Sequence, residues 1–238
     1  MGEQPLYEGM GQSYAATRRE DPRIARRIWA FLAPGPSVLN VGAGTGSYEP
    51  HHKSVVAVDP SPTMIRQRGP HRSSAVVQAV AERLPFPERR FDTAIAVLTV
   101  HHWADQARGL SEMRRVSLRQ VVLFYEPLEV HRFWGLDYFP EAKLLPSEQN
   151  APGEDLLRDT LQVEDVVPVP VPHDCVDGFG AAFWARPEAY LDPQVQAGMA
   201  NRSSSGDNAG TISVRSRSKP SSSNSIRWKK TASLASVC

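Results

Sequence analysis

The chain has 238 residues, 41% of them apolar and 22% charged, and its formal net charge is +1. That size and composition suit one globular domain with an appendage. No apolar run approaches the roughly 20 residues that span a bilayer. The opening Met-Gly-Glu-Gln-Pro-Leu has neither the basic start nor the apolar stretch of a signal peptide, and Leu6 breaks the myristoylation pattern. Two cysteines, Cys175 and Cys238, exclude a disulfide framework or a cysteine-based metal cluster, so the expected compartment is the cytoplasm.

The charge is unevenly divided. Residues 201–238 hold seven Lys/Arg and one acid, a net of +6, which leaves the first 200 residues at −5. Twelve of those last 38 residues are Ser, and the periodic apolar pattern ends near Met199. Such a composition buries too little surface to offset its ordering entropy. The expected organisation is a folded domain over 1–200 and a basic, Ser-rich disordered tail over 201–238. A basic arm for nucleic acid is the functional alternative to a solvated tail; the solvated tail is the simpler reading.

In chain order, Asp21-Pro22 offers a helix cap with Pro at the first helical position. Ile24, Ile28, Phe31 and Leu32 follow at helical spacing until Pro34 and Pro36. Residues 37–41 and 54–59 read as strands. Ser61-Pro62 starts a helix carrying Met64 and Ile65. Further strands are expected at 75–77, 91–100 and 121–125. Between the last two, Asp105 caps a helix with Ala107, Leu110 and Met113 on its apolar face. Short, continuously apolar strands alternating with helices indicate a parallel sheet covered on both faces, an open α/β fold. Residues 166–172 place Pro at 168, 170 and 172, which suits only an edge strand. The aromatic stretches at 133–139 and 179–190 read as core, with a substrate wall as the alternative.

The sharpest local feature is Gly42-Ala43-Gly44-Thr45-Gly46-Ser47, directly after the first strand. Glycine permits positive φ and a close backbone approach to a ligand. The end of a central strand is also where open α/β sheets bind ligands. Ser47 stands where the dinucleotide fingerprint requires its third glycine. Asp59 ends the second strand 17 residues after Gly42, placed to accept from ribose hydroxyls.

Further on come Ala81-Glu82-Arg83-Leu84-Pro85-Phe86, Phe91-Asp92 and His101-His102-Trp103. With the glycine loop and Asp59, the chain resembles the class I S-adenosylmethionine (SAM)-dependent methyltransferases, in particular the methyltransferase type 11 group. The resemblance covers about residues 7–200. It implies a doubly wound, Rossmann-like, mostly parallel sheet of order 3-2-1-4-5-7-6 with strand seven antiparallel, and SAM as cofactor. Carried over position by position, Gly42, Gly44 and Gly46 pass the methionine part of SAM and Asp59 holds the ribose. Met64 packs on the adenine, the Ala81 backbone meets the adenine edge, and Val97 and Leu98 line the methionine end. Tyr14 and Arg18 lie in the segment that folds over the cofactor. Val80 departs from the family, which usually has Asp there. After Met199 the family continues through a helix and strand seven. Only residues 211–214 look strand-like in this chain, so strand seven is expected to be missing.

Methyl transfer is an in-line displacement in which the protein positions the acceptor and excludes water. His101 and His102, just past the fourth strand, are the candidate bases, and a purely structural role at the strand end is the alternative. Glu126 and residues 173–175 are further candidates for the acceptor pocket. The histidine pairs His51-His52 and His101-His102 do not form a zinc spacing, and no metal is expected. The expected function is SAM-dependent methylation of a small molecule, without a membrane or nucleic-acid partner. A non-enzymatic relic lacking strand seven and an NAD-dependent oxidoreductase are the alternatives.

Overall fold

The computed structural model describes residues 18–68, 75–127, 132–138, 140–144, 146–193, 195 and 231–237. Tyr14 and residues 201–230, with the strand-like 211–214, lie outside them.

Helix α1 (Pro22–Trp29) starts as its sequence directs. The Asp21 carboxylate accepts from the Arg23 amide at 2.9 Å, and Ile24, Ala25 and Ile28 are buried. It stops at Trp29, so Phe31 and Leu32 follow in a turn. Strands β1 (Ser37–Val41) and β2 (Ser54–Asp59) run parallel in the register Ser37↔Ser54 to Val41↔Val58. Helix α2 (Pro62–Arg66) is capped by Ser61 and leads toward β3 (Ala75–Gln78). β4 (Phe91–Val97) ends three residues before the expected Val100, because the chain turns at Leu98 into a 3-10 turn at Val100–His102.

Helix α3 (Gln106–Val116) is capped by Asp105 and buries Leu110 and Met113 as expected. Ala107 is exposed instead of core-facing, and Gly109 is buried. The Trp103 ring lies against Gly109, where a Cβ would meet it. β5 (Ser117–Phe124) follows α3 without a loop, four residues before the expected start. The Ala-Glu-x-Leu-Pro-Phe segment is anchored to α3. Glu112 accepts from the Leu84 amide at 2.9 Å, and Arg115 donates to the Phe86 and Leu84 carbonyls.

Helix α4 (Glu154–Thr160) and β6 (Val163–Pro170) come next, and β7 (Thr231–Val237) inserts antiparallel between β5 and β6. The seven-stranded sheet has the order 3-2-1-4-5-7-6. This corrects two expectations: strand seven is present, and residues 231–237 of the segment read as a disordered tail form it. The Ser-rich composition hid the strand, since a central position supplies backbone partners on both sides whatever the side chains. β6 is the edge strand, so Pro168 and Pro170 need no outer partner.

Both faces of the central strands are buried. Val122 and Phe124 pack with Leu39, Ala94, Ala96, Leu110 and Met113 on one face, while Val121 and Leu123 pack with Val38, Ile95 and Ile28 on the other. That two-sided burial is why these strands read as continuous apolar runs. Most of the described aromatic side chains beyond β5 are core, as expected, with Phe179, Phe183 and Trp184 packing into the cluster of Ile28, Val38 and Val121. Trp134 Nε1 donates to the Trp184 carbonyl and Tyr190 Oη to the Gly180 carbonyl; Tyr138 stays half-exposed, and Phe139 is not described.

A chain ending at residue 230 leaves β5 and β6 without the partner between them. Its melting temperature is expected to fall by on the order of 10 °C, with a broadened transition by circular dichroism. An unchanged, sharp melt would show that β7 adds nothing to the fold.

Candidate cofactor site

The site begins with the way the chain leaves β1. Gly42 and Ala43 both donate to the Val58 carbonyl at 2.9 Å, folding the loop back onto the end of β2. Gly42 has φ +69 and Gly44 φ +51, in the left-handed region that favours glycine. A Cβ on Gly42 would run into the Thr99 side chain. The Gly44 amide donates to Asp59 Oδ2 at 2.7 Å, and Asp59 Oδ1 accepts from Ser61 N at 2.9 Å. Burial pushes the Asp59 carboxyl above its ordinary range, and those two amides with nearby Arg68 act the other way.

Leu98 closes the opposite wall. Its φ is +51, a conformation that costs a bulky side chain about 1–3 kcal/mol. Its amide donates to the Leu123 carbonyl at 2.9 Å, which holds it there and brings Thr99 to the cleft. Arg18, Gly42, Gly44, Asp59, Met64, Val97 and Leu98 line one cleft at the carboxyl ends of β1, β2 and β4. Seven of the residues selected from sequence thus come together.

The others are placed differently. Gly46, at φ +90, lies beside the Arg68 guanidinium and is not a lining residue. Ala81 is buried in the core near Gly109. Val80, the departure from the family pattern, is 43% exposed. His101 and His102 sit in the turn after β4, outside the cleft lining, with ring centroids 3.9 Å apart. Burial, then the nearby Arg18 charge, lowers His101 to about 4. Burial, His101 and Arg18 hold His102 well below the usual range. Both rings are therefore neutral at pH 7.

Glu126 and residues 173–175 do not line the cleft either. Glu126 accepts from the Glu154 amide at the start of α4. Asp174 pairs with Arg23 at 2.6 Å, and Cys175 is buried, its thiol pushed up to about 12. The Asp174–Arg23 pair tethers α1 to the loop after β6. Among the described residues no group of His, Cys, Asp and Glu could hold a metal.

Sequence reasoning missed Asn40, Ser47, Tyr48 and Thr99, which also line the cleft. It also missed the buried Asp177. Arg18 donates to Asp177 Oδ1 at 2.9 Å and Tyr48 Oη to Oδ2 at 2.7 Å. These partners lie 159 and 129 residues away, so no local spacing could reveal them. The missed pair Glu49 and Arg68 is nearly buried, with Arg68 donating to both Glu49 oxygens at 2.8 Å.

Residues 39–125, from β1 to just past β5, match the model of a methyltransferase domain. A crystal structure from Anabaena variabilis, of a protein described as a methyltransferase of an antibiotic biosynthesis pathway, is 30% identical. It covers 80% of both chains, with a TM-score of 0.70. This chain belongs to the class I SAM-dependent methyltransferases.

Two curated methyltransferases match over shorter stretches. The demethylmenaquinone methyltransferase of Corynebacterium urealyticum is 32% identical over 123 residues, 47% of this chain and 53% of that protein. The 2-methyl-6-phytyl-1,4-hydroquinone methyltransferase 1 of Oryza sativa is 29% identical over 126 residues, 48% and 38% of the two chains. The match thus spans about half or less of these methyltransferases. Family membership sets aside the oxidoreductase alternative.

The residues fit the cofactor that the family implies. Gly44 leaves open backbone with the Met64 methyl 3.4 Å from where a Cβ would stand. Each Asp59 oxygen takes one amide and has a further lone pair for a hydroxyl. Met64, Val97 and Leu98 supply an apolar lining.

Asp177→Ala removes the shared acceptor of Arg18 and Tyr48. It is expected to lower folding stability by about 3 kcal/mol in urea denaturation, and Asp177→Asn by less. Equal, small losses for both would show that the ionised carboxylate is not needed.

Proposed function

We propose that this chain transfers a methyl group from SAM to a small-molecule acceptor. The observation that carries the reading is the single cleft in which the glycine loop, Asp59, Met64 and the end of β4 meet. SAM supplies a methyl carbon already activated by a positive sulfur. In this reading Asp59 accepts from the ribose hydroxyls, and Met64 packs on the adenine. Gly42 and Gly44 keep side chains out of the path of the methionine part, and Gly46 gives the loop the positive φ it needs beside them. Ala81 offers its backbone to the adenine edge, Val97 and Leu98 keep water from the reacting end, and Arg18 neutralises the cofactor carboxylate while Asp177 holds it in place. Tyr14, outside the described residues, is proposed as a further cofactor contact.

His101 and His102 are proposed to orient the acceptor. A neutral imidazole accepts a hydrogen bond from an acceptor hydroxyl, and its low basicity suits an acceptor whose proton is already acidic. The names of the two curated relatives support a quinol-like aromatic acceptor as the first to try. No helix among the described residues is long and apolar enough to cross a membrane. The cytoplasm is the proposed compartment, where the buried Cys175 remains a thiol. No nucleic-acid partner is proposed. The relic alternative rested on Val80 and on a missing strand seven; β7 removes the second ground.

Isothermal titration with S-adenosylhomocysteine tests the cofactor. At 100 times Kd it is expected to stabilise the fold by about 2.7 kcal/mol, a rise in melting temperature of roughly 5–10 °C. Asp59→Ala is expected to weaken binding at least tenfold, about 1.4 kcal/mol. No binding at millimolar ligand would overturn the proposal.

The depressed His101 value also sets a pH dependence. The free enzyme's kcat/KM is expected to lack an inflection near 6.5 and to decline only as pH falls toward 4, where His101 takes up a proton. An inflection near 6.5 that disappears in His101→Gln would contradict a neutral His101.

A further inference from the structure

Arg68 follows α2 and crosses back to the glycine loop. Its side chain is 5% exposed, and that of its partner Glu49 is 6% exposed. Arg68 Nη2 donates to both Glu49 carboxylate oxygens at 2.8 Å, and Nη1 reaches the Gly44 carbonyl at 3.3 Å. The guanidinium also lies about 3.0 Å from where a Gly46 Cβ would stand. Glu49 Oε1 in turn accepts from Asn40 Nδ2 at 3.1 Å, at the end of β1. The pair therefore spans the loop from its entry at Asn40 to its exit at Glu49.

Gly44 is gripped at both of its peptide groups. Its amide donates to Asp59, and its carbonyl accepts from Arg68. A glycine has no side chain to fix its orientation, and its backbone wanders more widely than that of any other residue. With one peptide group held, the other can still rotate. With both held, the loop and the Asp59 carboxylate keep one mutual geometry.

We propose that Arg68 is a positioning residue for the cofactor, locking the glycine loop and Asp59 into binding geometry through Gly44, with Glu49 as its counter-ion. This rests on the cofactor reading of the cleft. Arg68 itself is not a lining residue, so it acts through the loop and not by touching the ligand. A preorganised site avoids the cost of ordering the loop when ligand arrives, so the effect belongs in cofactor affinity and not in the chemical step. Lysine does not substitute, since one ammonium lacks the planar fork that reaches two carboxylate oxygens and a carbonyl together.

The test separates this role from simple structural support. Arg68→Met leaves Glu49 buried without its counter-ion and is expected to destabilise the fold. Arg68→Met combined with Glu49→Gln removes both charges and keeps an acceptor for Asn40. The double variant is expected to recover most of the melting temperature. Its Kd for S-adenosylhomocysteine is expected to remain at least tenfold above wild type, and its KM for SAM to rise while kcat at saturation stays within about twofold. Arg68→Lys is expected to raise Kd as well. If the double variant regains wild-type Kd along with its melting temperature, Arg68 is only a structural strut and the proposal is overturned. If the wild-type chain does not bind S-adenosylhomocysteine, the cofactor reading fails and the role of Arg68 falls with it.

Discussion

The carboxyl edge of the sheet depends on two amides of the glycine loop donating to one carbonyl of β2. Gly42 and Ala43 both meet the Val58 oxygen, and that double contact turns the chain out of β1 sharply enough to leave a cleft. Thr99 fills the space beneath Gly42 from the end of β4. The three strands that border the cleft are thereby locked at their ends as well as along their ladders. The contact of the Gly44 amide with the Asp59 carboxylate follows from this one turn.

A second level of organisation is ionic. Arg68–Glu49 and Arg18–Asp177 are paired with little exposure, one beside the glycine loop and the other joining the start of the described chain to the segment after β6. A buried pair adds little net stability relative to apolar packing, but removing one partner is costly. Their value here is geometric. Each fixes a backbone segment that has no regular secondary structure of its own. Asp21 adds a third link, accepting from Arg23 and from the Val176 amide, with its carboxyl lowered to about 2 chiefly by Arg23.

Much of the parallel half of the sheet was legible in the sequence because its signals are local. Caps at Asp21, Ser61 and Asp105, apolar runs and the glycine loop each act within a few residues. The errors have physical causes. β4 stops early because Leu98 adopts a left-handed conformation that no pattern announces. β5 starts early because Ser117 ends α3 and begins the strand at once. β7 was missed because Ser and Ala carry little hydrophobic signal, while its place is set by backbone pairing with β5 and β6. In the site, residues on the loop and strand ends were found by motif. Asp177 and Arg68 were not, since their roles exist only once distant segments meet.

The chain order of the sheet also has a kinetic meaning. β5 and β6 are synthesised long before β7, yet β7 lies between them. At roughly 5–20 residues per second, the ribosome needs several seconds to add the residues between β6 and β7. During that interval the nascent sheet carries an unpaired β5 edge and a β6 with no neighbour to join. Such edges invite pairing with other chains. The stretch from 171 to 230 therefore sets a window of vulnerability during synthesis, which closes only when β7 arrives.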